Sequence, residues 1–574
     1  MPTTAPRTYD APDERYDVAI LGGGLAGLSL ALQLKRSRPE TTILVAERRH
    51  GPAPEATFKV GESTVELSAH YFSAVLGLRD HLKAHQLPKA GLRYFFPAGD
   101  NRDIAARVEF GGTALPPVPS YQLDRGRFEN ELAARNRRAG VHILEGARVH
   151  NVELGDPAHT VTLSRDDAKS AVSARWVVDA TGARGFLKRK LGLQKDVAHN
   201  INASWFRLAG GLDLEEWSDD EEWLGRMDAR GVRKLSTNHL MGEGYWVWLI
   251  PLASGPISIG IVADPRFHSF EQFNTLGRAC EWLARHEPQL AAALDGRHED
   301  VEDFLKFKNF AYSAKRVFSA DRWALSGIAG VFADPLYSPG SDFIAEGNTA
   351  ITELVVRELA GKDVGRLAAS LNTAYLNRFE LLVGGVYTDH YQLFGNAEVM
   401  TAKLIWESAV YWSCVALPFY NGKLTDARFA AATRPELSRI YAISHRMEQL
   451  FRDWHALGQR DWAGSFIANH GFPAFRQIQC DLAGDFDDAA LLVKYREHRE
   501  LLEAIAVVVF HQAADSLPVR LDPERPINPR AVSLDPARWE RDGLFDEAGI
   551  SLVDARIRAA GIETMLLDEG VRVS

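Results

Sequence analysis

Three sets of residues in this 574-residue chain have the types and spacing to do chemistry. The first is Gly22-x-Gly24-x-x-Gly27, with Leu25 and Ala26 between the last two glycines and an acid, Glu47, further on. The first glycine permits a tight turn, the second lets backbone approach a pyrophosphate, and the third lets a helix lie close on a strand, with phosphate at the positive helix end. Glu47 is placed to accept hydrogen bonds from a ribose without a 2′-phosphate. The second set is Gly61-Glu62-Ser63-Thr64, ahead of a helix expected near residues 66 to 76. Two readings stand side by side: Ser63 or Thr64 caps that helix, or the loop folds against a flavin. The third set is scattered: Lys89, the pair Trp246-x-Trp248, and the run Asp334-Pro335-x-Tyr337-Ser338-x-Gly340-Ser341. A lysine just ahead of a strand is solvated by default, and paired strand tryptophans make either core or a wall. A Pro/Gly loop entering a helix offers N–H groups to an anion or a flavin edge.

The elements that must position these residues are legible around them. Val18, Ile20 and Leu21 form an apolar run that stops at Gly22, a helix carries Leu28, Leu30 and Leu34, and Ile43-Leu44-Val45-Ala46 delivers Glu47. Strand, glycines, helix, strand and terminal acid in one window make a dinucleotide-binding βαβ unit rather than a bare glycine turn. Lys89 precedes a strand in which Leu92, Tyr94 and Phe96 share a face, and Arg125 opens a helix with Phe128, Leu132 and Ala133 on its apolar side. Trp176 to Val178 form a buried strand ending at Asp179-Ala180-Thr181-Gly182, a second close-approach turn that grips the cofactor from the other side. Residues 196 to 315 alternate at period two and read as a largely β insertion, with Trp246, Trp248 and Ile250 on one face and Pro251 ending the ladder. A helix is expected near residues 347 to 359, a helical cap rich in aromatics from about 360, and peripheral helices from about 535.

Composition narrows the class. The chain is 46% hydrophobic and 25% charged with a net charge of −10, which is globular and carries no basic stripe for nucleic acid. Cys280, Cys414 and Cys480 are too far apart for a zinc pattern, and their odd number suits a reduced compartment. No apolar signal segment occupies the first fifteen residues, so a cytoplasmic enzyme is expected. The run LIWESAVYWSCVALPF, residues 404 to 419, is shorter than a membrane span and is interrupted by Glu407, so it reads as a buried or partner-facing helix.

With these pieces in place, residues 14 to 420 resemble the flavin-dependent halogenases. The signatures are Gly22-x-Gly24-x-x-Gly27, Gly61-Glu62-Ser63-Thr64, Trp246-x-Trp248-x-Ile250-Pro251 and Phe332-x-x-Pro335-x-x-Ser338-x-Gly340. The resemblance implies an α/β fold, the two-domain FAD-binding fold of flavin monooxygenases such as hydroxybenzoate hydroxylase. An FAD module, 14–358, would be interrupted by substrate-side β segments at 59–117 and 191–315, followed by a helical substrate cap at 359–534 and peripheral helices at 535–574. FAD would be held by Gly22, Gly24, Leu25, Ala26, Gly27, Glu47, Gly61, Glu62, Ser63, Arg125, Asp179, Gly182, Asp334 and Pro335. Halide would sit at Gly340 and Ser341, and Lys89 matches the catalytic lysine of the family. Reduced FAD, O2 and halide would yield hypohalous acid, which travels to Lys89 past Trp246, Trp248, Tyr337 and Ser338. At Lys89 it would accept a hydrogen bond or form a haloamine.

Three positions depart from the family pattern. Tyr337 stands where tryptophan halogenases carry a glutamate, which favours an electron-rich phenol or pyrrole, free or carrier-bound, that can lose its own proton. Pro339 has no N–H to give a halide. Ser326-Gly327-Ile328 replaces the usual Gly-Asp at the ribityl chain, as suits an enzyme that receives reduced flavin from a separate NAD(P)H-dependent reductase. The alternatives are a flavin monooxygenase on the same scaffold without halide use, and a non-enzymatic flavin scaffold, which would leave Lys89 facing solvent.

Overall fold

The structure is a computed structural model that describes residues 14–55, 61–166, 168–469 and 471–567. Its first sheet grows from the apolar run before Gly22. Glu14–Leu21 pairs in parallel with Ile43–Glu47 on one side and Ala168–Asp179 on the other, so the first glycine turn and the turn after Asp179 emerge side by side. His142–Glu145 extends one edge, and His159–Arg165 and Arg148–Glu153 extend the other as an antiparallel pair. Trp323–Leu325 pairs in parallel with the last three residues of Ala168–Asp179. Three strand ends therefore converge on one edge, the place where α/β sheets bind ligands. The helix Leu25–Ser37 buries Leu28, Leu30 and Leu34 on this sheet. The helix Gly340–Leu359 is fastened beside it by Asn348, whose amide donates to Ala26 O at 3.0 Å and whose carbonyl accepts from Ser326 Oγ at 2.6 Å.

The second sheet is mixed and has eight strands, in the order Val301–Phe307, Asn202–Leu208, Ile257–Ala263, Tyr245–Pro251, Thr237–Gly242, Leu92–Phe96, Val108–Gly111, Phe466–Ala468. Its chain segments come from three regions of the sequence, and the helical region contributes the last strand. The period-two pattern of Tyr245–Pro251 sorts as expected: Trp246, Trp248 and Ile250 pack in the main core, while Val247 and Leu249 face a separate cluster. That outer face cannot stay bare, and the segment expected to be largely β also supplies the helices Leu276–His286 and Pro288–Leu294, which bury Trp282, Leu283 and Leu290 against it.

Two boundaries differ from expectation. The helix read near 347 begins seven residues earlier, at Gly340, because Pro339 is a good helix entry and the polar Ser341 and Asp342 are buried in its first turn. The described residues after 535 form one helix, Leu552–Arg558, and short 3-10 turns, and they are not peripheral. Ala555, Ala559, Ile562 and Met565 are buried, and Leu567 O accepts from Gln512 on the long helix Asp488–Ala514 at 2.7 Å. The apolar run at 404 to 419 lies in the helix Ala397–Tyr411 and the two short helical segments after it, and is largely buried. Among the described residues no helix is long and apolar enough to cross a membrane.

Beneath Lys89 the sheet contains a fully buried charge cluster. Arg93 and Arg233 both pair with Glu109, with Arg233 bidentate at 2.9 and 3.0 Å, and all three side chains are 0% exposed. Arg93 also donates to Ser236 Oγ, which donates to Ala90 O next to Lys89. Removing the one carboxylate leaves two guanidinium groups buried together. Glu109→Gln is expected to destabilise the protein by about 3–5 kcal/mol in chemical denaturation; a stability within about 1 kcal/mol of wild type would show that the cluster does not hold this floor.

Candidate functional site

The converging strand ends open into an elongated cavity of about 510 Å3. Gly22 turns at φ 112°, and a Cβ there would lie 2.4 Å from Ala180 O in the neighbouring turn. A Cβ on Gly27 would lie 2.0 Å from Gly22 O, so the helix can approach the strand only if this residue is glycine. Gly24, Leu25 and Ala26 line the cavity at the helix N-terminus. Glu47 lines it too, and its carboxylate is fixed by the N–H groups of Gly23 and Arg49, each at 2.7 Å. Gly61, Glu62, Ser63, Arg125 and Gly182 form the flanks, and Trp246, Trp248, Asp334, Pro335, Ser338, Gly340 and Ser341 complete the walls.

Side chains along this wall are held by partners rather than left loose. Arg125 donates to Gly61 O at 3.2 Å and to Glu129 at 2.6 Å. Glu62 is buried, which pushes its carboxyl up, while Arg207 at 2.7 Å opposes that shift and ties the loop to the second sheet. Asp179 corrects the sequence reading: it does not line the cavity. Its carboxylate accepts from Thr181 N, Thr181 Oγ1 and Leu187 N at 2.6–2.9 Å, so it shapes the turn that presents Gly182. Neither Ser63 nor Thr64 caps the following helix, whose first turn is entered through Val65. Thr64 instead pairs with Tyr121 through backbone and hydroxyl, which presses Ser63 into the cavity. A long, glycine-floored slot with a helix N-terminus at the phosphate turn and a pinned acid beyond it fits a dinucleotide.

A second cavity, of about 150 Å3, lies on the other side of Ser63. Lys89 projects into it and is 1% exposed, so the solvated-lysine reading is overturned and the scaffold alternative does not gain the support a solvent-facing Lys89 would have lent it. It lies just ahead of the strand Leu92–Phe96, as expected, and also ends a short strand of its own, Leu87–Lys89, paired with Ser120–Gln122. Its ammonium nitrogen donates to Ser63 Oγ and Thr64 O, both at 2.7 Å, and so reaches the loop that lines the first cavity. Burial pushes the Lys89 pKa down to about 7, against Glu66 and Asp342, which raise it. Apolar groups, among them Leu92, Phe110, Leu404, Trp412 and Phe475, make up most of the rest of the wall.

What separates the cavities is the run 335–342 and an aromatic stack. Pro335, Ser338, Gly340 and Ser341 line the larger cavity, whereas Tyr337, Pro339 and Asp342 line the smaller. Ser338, at φ 57°, turns the chain so that neighbouring side chains face opposite ways. Tyr94 of the smaller cavity stacks on His239 at 4.5 Å, and His239 meets Trp246 of the larger at 5.5 Å. Trp246 is pinned in turn: its Nε1 donates to Tyr391 Oη at 3.1 Å, and that hydroxyl donates to Asp334 at 2.5 Å. The Trp246 and Trp248 rings lie 5.7 Å apart and are 1% and 3% exposed, so they are core and wall at once.

Sequence reasoning missed the four charged residues that line the smaller cavity with Lys89. Glu407, noted only as an interruption of an apolar run, accepts from Tyr337 Oη at 2.7 Å and pairs with the buried Lys403. Asp342 accepts from Ser68 N at 3.0 Å and Tyr411 Oη at 2.7 Å, and burial pushes its carboxyl up to about 6. Glu66 and Arg378 complete the group. The one available signal was Lys403 and Glu407 at i and i+4 within an otherwise apolar helix.

Residues 15–255 match the family model for an FAD binding domain. Over 545 residues the chain is 28% identical to the flavin-dependent halogenase chlA of Dictyostelium discoideum, spanning 84% of this chain and 83% of that protein. It is 26% identical over 356 residues to a 1H-pyrrole-2-carbonyl-(peptidyl-carrier protein) chlorinase of Pseudomonas fluorescens, spanning 57% of this chain and 73% of that one. The fold is that of the halogenase PltM, solved in complex with phloroglucinol and FAD, with a TM-score of 0.59, 18% identity, and 85% and 96% of the two chains covered. The resemblance to flavin-dependent halogenases thus extends past residue 420, and FAD is the cofactor. Gly27→Ala should lower FAD affinity at least about tenfold in a flavin titration; unchanged affinity would be incompatible with a helix packed this closely at the pyrophosphate.

Proposed function

We propose that this protein is an FAD-dependent halogenase that acts on an electron-rich aromatic of phenol or pyrrole type, free or carrier-bound. The observation that carries the reading is the pair of cavities with Lys89 between them: its nitrogen faces the smaller cavity yet hydrogen-bonds Ser63, which lines the larger. FAD held in the larger cavity would, once reduced, activate O2 for the two-electron oxidation of halide to hypohalous acid. The N–H groups of Gly340 and Ser341, at the start of a twenty-residue helix, are donors for the halide. Pro339, which has no N–H, faces the other cavity and takes nothing from that set. A ring bound beside Lys89 is screened from the flavin by Tyr94, His239 and Trp246, which is the reverse of what direct hydroxylation at a flavin requires. A cavity of about 150 Å3 is large enough for one benzene-sized ring.

The neutral Lys89 amine is the working form in this reading. Its lone pair attacks hypohalous acid, the N–X bond forms as the O–X bond breaks, and water leaves with the amine proton. The aromatic ring then takes the halogen from nitrogen, and the ring proton is returned to the amine. Reduced flavin comes from a separate NAD(P)H-dependent reductase, and the three free cysteines suit a cytoplasmic setting.

The test uses reduced FAD, O2, chloride or bromide and a panel of phenols, pyrroles and indoles, read by isotope pattern. Lys89→Met keeps the stem but removes every donor and the nucleophilic nitrogen. This variant should still consume reduced FAD with halide present and should lose aryl halogenation by at least about a hundredfold; wild-type halogenation in it would rule out the assignment. Because burial lowers the Lys89 pKa to about 7, halogen transfer should rise with pH through about 7 and then level off. The amine gains its lone pair as pH passes that value. A profile falling through the same range would mean that the ammonium form works, as a hydrogen-bond donor.

A further inference from the structure

The smaller cavity holds a polar arrangement that the halogen-transfer reading leaves unused, and the inference from it rests on that reading. Tyr337, at the position where the sequence departs from the family pattern, turns its hydroxyl away from bulk solvent and donates its one hydrogen to Glu407 Oε2 at 2.7 Å. Glu407 is fixed by Lys403, whose ammonium nitrogen also donates to Val386 O at 3.1 Å. With its hydrogen committed, the Tyr337 oxygen can only accept. Tyr94 lines the same cavity, is 1% exposed, and its hydroxyl has no hydrogen-bond partner among the described residues. A buried hydroxyl without a partner costs stability, so one retained at a ligand cavity marks where a ligand atom belongs.

We infer that Tyr337 and Tyr94 form a subsite for a ring hydroxyl, with Tyr337 accepting the O–H of the substrate and Tyr94 donating to its oxygen. This selects a phenol over a pyrrole, because a pyrrole N–H can satisfy Tyr337 but has no lone pair for Tyr94. Glu407 is a positioning residue: by taking the Tyr337 hydrogen it decides that the oxygen meets the substrate as an acceptor.

Calorimetry on the FAD-loaded protein, without halide or reductant, tests this with phenol, pyrrole and fluorobenzene, the last matching phenol in size but lacking the O–H. Wild type should bind phenol about tenfold or more tightly than either of the others. Tyr337→Phe and Tyr94→Phe should each cut the phenol-to-fluorobenzene ratio by about tenfold. Glu407→Gln, which keeps an acceptor for Tyr337, should retain the preference that Glu407→Leu loses. Equal binding of phenol and fluorobenzene by wild type, or an unchanged ratio in Tyr337→Phe, overturns the subsite. A hydroxyl preference in a protein that makes no halogenated product supports the subsite and sinks the halogenase reading instead, so the two failures are told apart.

Discussion

The structure turns on one buried amine. Lys89 has been taken out of water, and a lysine there is tolerable only if its N–H groups find acceptors and its charge can be shed. Ser63 Oγ and Thr64 O meet the first need at 2.7 Å. The lowered pKa meets the second, and Glu66 and Asp342 limit how far it falls. Those acceptors exist only because Thr64 is locked to Tyr121 and because Lys89 itself lies opposite Ser120 in a two-strand pairing. The loop 61–64, the strand Leu87–Lys89 and its partner Ser120–Gln122 are thus one hydrogen-bonded unit, and the position of each depends on the other two.

Around that unit the protein keeps two cavities apart with the run 335–342 and a stack of aromatic side chains. Aromatic faces suit this because they are large, rigid and stiffly packed. Hydrogen bonds then fix the rings: Trp246 to Tyr391, Tyr391 to Asp334, and Asp334 to His199 at 3.0 Å. Burial, with the charge of nearby Lys89 acting in the same direction, pushes the His239 pKa down to about 3 and holds the ring neutral, and its Nδ1 meets Arg93 O at 2.9 Å. The Glu109 cluster below fixes the strands that carry Tyr94 and His239.

What local patterns could convey, they conveyed well. Glycine spacing, an apolar run on each side and a terminal acid need only neighbouring residues, and so the βαβ unit, the Arg125 helix and the alternating tryptophan strand were all readable. Reading went astray where a side chain has two legitimate uses. Asp179 has the right type and place for a cofactor contact, but three donors of its own turn claim its oxygens. Ser63 is a good cap by type, yet it serves a lysine 26 residues away. The helix entry at Gly340 is not legible locally, because polar residues in a first turn look like loop unless their buried partners, here Ser68 and Tyr411 for Asp342, are known.

The sequence alone determined the dinucleotide turn, the two faces of the tryptophan strand and the family likeness, since each rests on contacts between residues a few positions apart or on motif spacing. Tertiary structure alone decided that Lys89 is buried, that residues 335–342 alternate between two cavities, and that Glu407 stands behind Tyr337 across 70 positions. The physical reason is the same in every case. Burial, pKa and hydrogen-bond role belong to a side chain's surroundings, and here those surroundings are assembled from strands and helices that the chain brings together only on folding.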